Sequence, residues 1–143
     1  MWIWARDGKG RMKPKVLIID DDAAVSQQLF WVLCDEYEVL TANDLASALL
    51  LAREHKPQIS ILDLCLPPVV STIEIGLYIL EQLRNNLPSS QILVVSSIAN
   101  PEIQRHCLQK GAFAVFKKPL DVEKLLQAVH RCARKKPTSA SEH

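Results

Sequence analysis

The sequence predicts an α/β domain, a doubly wound five-stranded parallel sheet alternating with five helices. Two observations point there. Short, mostly apolar runs recur at Val16–Ile19, Tyr37–Thr41, Ile59–Leu62, Gln91–Val95 and Ala112–Phe116. The segments between them carry apolar residues at helical spacing. Five strands alternating with five helices argue an α/β domain with a parallel sheet and right-handed crossovers.

Taken in order, Val16-Leu17-Ile18-Ile19 runs into Asp20-Asp21-Asp22, and Asp22 is placed to cap a helix whose apolar face is Val25, Leu29, Val32 and Leu33. After the short second strand, Asn43 or Asp44 caps a helix from Leu45 to about His55. Pro57 stops it and the third strand follows, delivering Asp63 into a long loop that begins Leu64-Cys65-Leu66-Pro67. The next helix is predicted from Ile73 or Glu74 to Asn86, with Ile73, Leu77, Leu80 and Arg84 in one stripe and Ile79 and Leu83 beside it. The fourth strand ends in Ser96-Ser97. Asn100-Pro101 starts a helix, with asparagine as cap and proline in the first turn, and Lys110-Gly111 closes it. The fifth strand is followed by Lys117-Lys118-Pro119, and Asp121 caps the last helix, whose buried face is Val122, Leu125, Leu126, Val129 and Cys132 or Ala133.

This arrangement sets the domain at residues 15–134. Residues 1–14 read as a flexible leader, whose Trp2 and Trp4 have docking on an apolar patch as their alternative, and residues 135–143 read as a polar tail. A length of 143 residues suits one compact domain. A net charge of +1 gives no overall nucleic-acid signal. No apolar run approaches the roughly 18 residues of a membrane span, and no secretory segment opens the chain, so a cytoplasmic protein is expected. Cys34, Cys65, Cys107 and Cys132 have no zinc-ligand spacing and read as reduced thiols.

The distinctive polar residues fall at strand ends. Asp20 and Asp21 follow strand one, Asp63 strand three, Ser96 strand four and Lys118 strand five. In a parallel sheet these ends share one edge, where ligands collect. Grouped carboxylates repel, and are more comfortable around a divalent cation; Mg²⁺ prefers such oxygen ligands. The set fits phosphoryl transfer to a carboxylate, with Asp63 as nucleophile and the metal, Lys118 and Ser96 meeting the charge on the phosphoryl oxygens. Singly, each has a plainer reading: a solvated acidic turn, an incidental hydroxyl, a solvated loop lysine.

The span from about Lys15 to Arg134 resembles the receiver domain of two-component response regulators. The match rests on Ile18-Ile19-Asp20-Asp21-Asp22, Leu62-Asp63-Leu64-Cys65-Leu66-Pro67, Val95-Ser96-Ser97 and Lys117-Lys118-Pro119, in that order. The resemblance implies a flavodoxin-like sheet ordered 2-1-3-4-5. It also implies that Asp63 is the phosphoacceptor for a sensor histidine kinase or phosphotransfer protein, and that Asp20, Asp21, Asp63 and the Cys65 backbone carbonyl hold Mg²⁺. Ser96 becomes the switch hydroxyl and Lys118 the partner of phosphate, with Pro119 shaping its loop, plausibly through a cis bond. The output is a surface that binds a downstream protein, with no direct contact to nucleic acid or membrane.

Three departures stand out from the family pattern: a long segment between Pro67 and Gly76, Val115 where the family generally has tyrosine or phenylalanine, and an added charge at Lys117. Three alternatives stand beside the phosphorylated receiver. A non-phosphorylated, degenerate receiver would serve as a constitutive interaction module. An aspartyl phosphatase would ordinarily carry a second aspartate where Cys65 stands, so turnover of external substrates is not expected. Nucleotide binding ranks last, as the four glycines form no phosphate loop. A single-domain regulator and a receiver excised from a longer protein would look the same.

Overall fold

The computed structural model describes residues 13–64, 73–97 and 100–134. The leader before Lys13, the tail from residue 135, and the loop containing Cys65 and Pro67 to Thr72 lie outside the described residues. Five strands and five helices alternate: β1 (Lys15–Ile19), α1 (Ala23–Leu33), β2 (Glu38–Ala42), α2 (Leu45–His55), β3 (Ile59–Asp63), α3 (Ile73–Asn86), β4 (Gln91–Ser96), α4 (Pro101–Gln109), β5 (Ala112–Lys117) and α5 (Val122–Arg134). The strands form one parallel sheet in the order β2-β1-β3-β4-β5.

Both faces of the sheet are buried. Leu17, Ile19, Leu62, Ile92 and Val94 pack with Ala48 and Ala52 of α2, Leu80 and Leu83 of α3, and Cys107 of α4. Val16, Ile18, Ile59, Ile61, Leu93 and Val95 alternate to the other face, against Leu29 and Leu33 of α1 and Leu125, Ala128 and Val129 of α5. Within α1 one expectation fails. Val32 is 41% exposed, because Leu29 and Leu33, one turn apart, already fill the contact with the sheet.

The predicted caps form. The Asp22 carboxylate accepts from the Ala24 and Val25 amides, Asp44 from Ser47, Asn100 from Ile103 and Asp121 from Lys124. Asp44, not Asn43, caps α2. Gly111 closes α4 at φ +104°, a region that disfavours other residues. The second strand begins one residue later than expected, since the Tyr37 amide donates to the Leu33 carbonyl at the end of α1 instead of to the sheet.

Candidate functional site

Parallel register carries the polar residues to one edge. Asp20 directly follows β1, and its amide donates to the Ala42 carbonyl at the end of β2 at 3.0 Å. Asp63 is the last residue of β3 and lies opposite Val95, and Ser96 ends β4 opposite Lys117. The Lys118 amide donates to the Ser96 carbonyl at 2.9 Å, extending the β4–β5 pairing by one bond and turning Lys118 over the sheet edge. The Lys118–Pro119 peptide is cis.

The three neighbouring aspartates have three separate environments. Asp22 caps α1. Asp21 is exposed, and Asp20 is buried at 4% exposure, its Oδ1 accepting from the Asp22 amide at 2.8 Å. Asp63 is equally buried, and Ser96 is fully so. Lys118 reaches between the two buried carboxylates, with Nζ 3.1 Å from Asp20 Oδ2 and 3.3 Å from Asp63 Oδ2. The structure therefore brings Asp20, Asp21, Asp63 and Lys118 together and sets Ser96 on the adjoining strand end.

The electrostatics follow from burial. Desolvation is the largest influence on Asp20 and, with the nearby Asp63 charge, pushes its carboxyl up to about 6 against the lowering effects of the Asp22 amide and Lys118. Burial works to lower the Lys118 ammonium, but the summed attraction of Asp63 and Asp20 overrides it and holds Lys118 above its ordinary value. Three carboxylates against one ammonium leave two negative charges, the complement of one divalent cation. An oxygen from each of Asp20, Asp21 and Asp63 lies within 4.8 Å of the others. An octahedral Mg²⁺ shell at roughly 2.1 Å per bond spans about 4.2 Å across, so small carboxylate adjustments would close these oxygens on such an ion. The donor set is all hard oxygen, which fits Mg²⁺. The Cys65 carbonyl lies outside the described residues.

Two features of the surroundings escaped the sequence reading. Phe30 and Trp31, absent from the apolar stripe assigned to α1, are exposed at the side of a cleft that opens beside Asp20 and Asp21. Adjacent aromatics off the buried face of a helix are the signal that identifies them. Arg84 was read with the apolar stripe of α3; its guanidinium instead donates to the carbonyls of Gly111, Leu87, Pro88 and Ser90. Val115 is half-buried against the α2–α4 side of the core.

Comparison with known proteins agrees with this architecture. Residues 16–130 match the family model for the response regulator receiver domain. The chain is 33% identical over 118 residues to the oxygen regulatory protein NreC of Staphylococcus haemolyticus, covering 80% of this chain and 52% of that protein. It is 31% identical over 123 residues to the protein of the same name from Staphylococcus carnosus. It thus spans about half the length of the curated relatives it matches. A CheY-like response regulator receiver domain protein from Methanospirillum hungatei superposes with a TM-score of 0.74 at 25% identity, over 83% of this chain and 92% of that one. A response regulator protein from Burkholderia pseudomallei, solved with a phosphorylated aspartic acid, a calcium ion and citrate, superposes with a TM-score of 0.70 at 25% identity, over 86% and 76% respectively.

Proposed function

Because the chain belongs to the response regulator receiver domain family, we propose that it accepts a phosphoryl group on Asp63, in a Mg²⁺-dependent transfer, from a phosphohistidine of a sensor histidine kinase or phosphotransfer protein. The observation that carries this reading is Lys118 set between two buried carboxylates, Asp20 and Asp63, at 3.1 and 3.3 Å. A lysine held there stands beside the acceptor carboxylate, within reach of an incoming phosphoryl group.

In the transfer an Asp63 oxygen forms the new P–O bond while the donor's P–N bond breaks, its electron pair remaining on the imidazole nitrogen. An acyl phosphate on Asp63 results. No general base is needed if the acceptor is ionised. Asp20, Asp21, Asp63 and the Cys65 carbonyl would hold Mg²⁺, which when bound supplies positive charge to the phosphoryl oxygens. Lys118 pairs with a phosphoryl oxygen, exchanging part of its contact with Asp63 for one with the new group. Ser96 serves as the switch hydroxyl, moving toward the phosphoryl oxygen. The added charge then biases the packing of the neighbouring loops and presents a surface to a downstream protein partner.

The domain acts as a signalling acceptor, with only its own phosphotransfer and slow loss of phosphate as chemistry. We place it in the cytoplasm, without direct contact to nucleic acid; no described helix is long and apolar enough to cross a membrane. The relative with a phosphorylated aspartic acid supports the acceptor role. The degenerate alternative gains no support, since the acidic set and Lys118 are all present and grouped.

The test is intact-mass analysis after incubation with acetyl phosphate and Mg²⁺, with Asp63→Asn and EDTA controls. Addition of one phosphoryl group to the parent alone, lost with EDTA, is the expected result. No addition, under conditions that modify an established receiver, overturns the proposal.

A further inference from the structure

We infer that α1 is a self-association surface. Two copies of this chain pack α1 against α1, antiparallel, about a two-fold axis at Gln27, and Trp31 of each copy seats on Ala23 of the other. From Ala23 to Cys34 the sequence holds no charged residue, whereas a surface helix ordinarily turns a charged or polar face outward. Instead α1 exposes Trp31 at 66%, Val32 at 41% and Phe30 at 37%, beside exposed Ala23, Ala24 and Gln27. Leu29 and Leu33 already make its inward contacts, so the folding of one copy does not account for the others. Large apolar residues scattered singly over a surface need no explanation, but three in succession on an uncharged helix mark an interaction surface.

Spacing selects the occupant. In a two-fold contact one patch meets itself, so a residue that faces a second residue of the copy is matched by that second residue facing the first. Ala23 and Trp31 lie equally far from Gln27 on either side, and so do Ala24 and Phe30. With the axis at Gln27, Ala23 therefore faces the copy's Trp31 and Ala24 faces the copy's Phe30. Each large ring lies over a methyl group, and the small residues let the two helices approach closely. The indole also finds room. Ala23, with Ser26, Gln27 and Phe30, lines a cleft of about 710 Å³ that runs between α1 and the start of α2.

Electrostatics selects the same occupant. Close to a two-fold axis a charged side chain meets its own kind, which repels. The exposed face of α1 avoids this, and Gln27 at the axis carries an amide whose donor and acceptor complement those of its copy. Antiparallel packing also sets opposite ends of the two helix dipoles together. A charged peptide or a nucleic acid finds no counter-charge along this face. One helix pair buries less than the roughly 1,200 Å² of a stable interface, so the association is weak and reversible.

The test is sedimentation velocity of the full chain from micromolar to millimolar concentration, with EDTA and no phosphodonor, which keeps it independent of the proposed phosphorylation. The weight-average mass is expected to climb from that of the monomer toward twice that value. Trp31→Ala, at an exposed position, should raise the dimer dissociation constant at least about tenfold. Gln27→Glu and Gln27→Lys should each do the same, because like charges then face one another across the axis. An equimolar mixture of those two variants restores association to the parent's level or beyond, since opposite charges now meet. If circular dichroism shows that Trp31→Ala has lost its fold, the Gln27 pair decides alone. A chain that stays monomeric throughout overturns the inference, as does a mass that grows past the dimer. So does a dimer that any folded variant fails to weaken, which places the contact elsewhere. Weakening by both Gln27 variants without recovery on mixing overturns it as well, because the axis then does not lie at Gln27.

Discussion

Lys118 and Asp20, 98 residues apart in the chain, meet at 3.1 Å over the carboxyl edge of the sheet. The pair does not neutralise its surroundings: Asp63 lies on the other side of the same ammonium, and burial still pushes Asp20 up to about 6. Without a second cation, the acid cluster is a source of strain in the fold.

Asp20→Asn is therefore expected to stabilise the metal-free protein at pH 7. A carboxyl raised in the folded state contributes stability that is fully present below its unfolded value near 3.8 and lost as pH rises through about 6. The parent has lost it at pH 7, whereas asparagine never carries the charge and keeps an oxygen for the Asp22 amide. Urea denaturation in EDTA should show a gain of about 1–3 kcal/mol at pH 7, shrinking as pH falls toward 4. A loss at pH 7 would mean that the Lys118 pairing outweighs the burial cost.

Tyr37 supplies a second pH signature at the opposite end of the fold. Its hydroxyl lies 2.7 Å from His130 Nδ1, linking the turn before β2 to α5. Burial, with Glu36 and Cys132 adding and Arg134 opposing, pushes the phenol up to about 12. The raised value stabilises the fold below pH 10, and that stability is lost as pH rises toward 12. Tyr37→Phe should cost about 1 kcal/mol at neutral pH through the lost hydrogen bond. The deficit should narrow in urea titrations above pH 10. Ultraviolet titration of the parent should show a phenolate component near pH 12 that the variant lacks.

Gly76 lets α3 approach the residue after Asp63. A Cβ there would overlap the Leu64 carbonyl and come within 2.6 Å of Leu64 Cγ. Alanine improves helix propensity by about 1 kcal/mol, but the overlap costs about 1–3 kcal/mol. Gly76→Ala should be net destabilising by up to about 2 kcal/mol in urea melts, against the propensity trend. A stabilised variant would show that α3 moves away from Leu64 freely.

Arg84 joins the turn that follows α3 to the end of α4, 27 residues away in the chain. Its guanidinium donates to Gly111 O at 3.2 Å, Leu87 O at 2.6 Å and Pro88 O at 3.1 Å, and also to Ser90 O. Burial pulls its pKa below the ordinary guanidinium value, yet these carbonyls satisfy the charge. Arg84→Met retains the aliphatic stem but strands the acceptors, and should lower stability by about 2–4 kcal/mol in urea denaturation. An effect below 1 kcal/mol, roughly that of one ordinary hydrogen bond, would show that water replaces the guanidinium.

The helices and strands were legible because their causes are local. Leu45–His55 could be read as α2 from its cap and its proline stop, and Gly111 could be read as a helix terminator from its freedom at positive φ. The site was legible for a related reason: in a parallel sheet every strand ends on the same edge, so placing Asp20, Asp63, Ser96 and Lys118 after strands placed them near one another. Val32 was misassigned because helical spacing defines a stripe but not its width, which depends on how much room the sheet leaves.

The sequence by itself determined the alternation of elements, their caps and the carboxylates at the strand ends, since these depend on side-chain pattern and backbone preference within a few residues. Tertiary structure alone decided that Asp20 is buried against Lys118 while its neighbour Asp21 faces solvent. It alone turned Arg84 into a carbonyl clamp and opened a cleft beside Phe30 and Trp31. The physical reason is that desolvation, ion pairing and close packing depend on distances between segments far apart in the chain, and those distances exist only once the sheet has assembled.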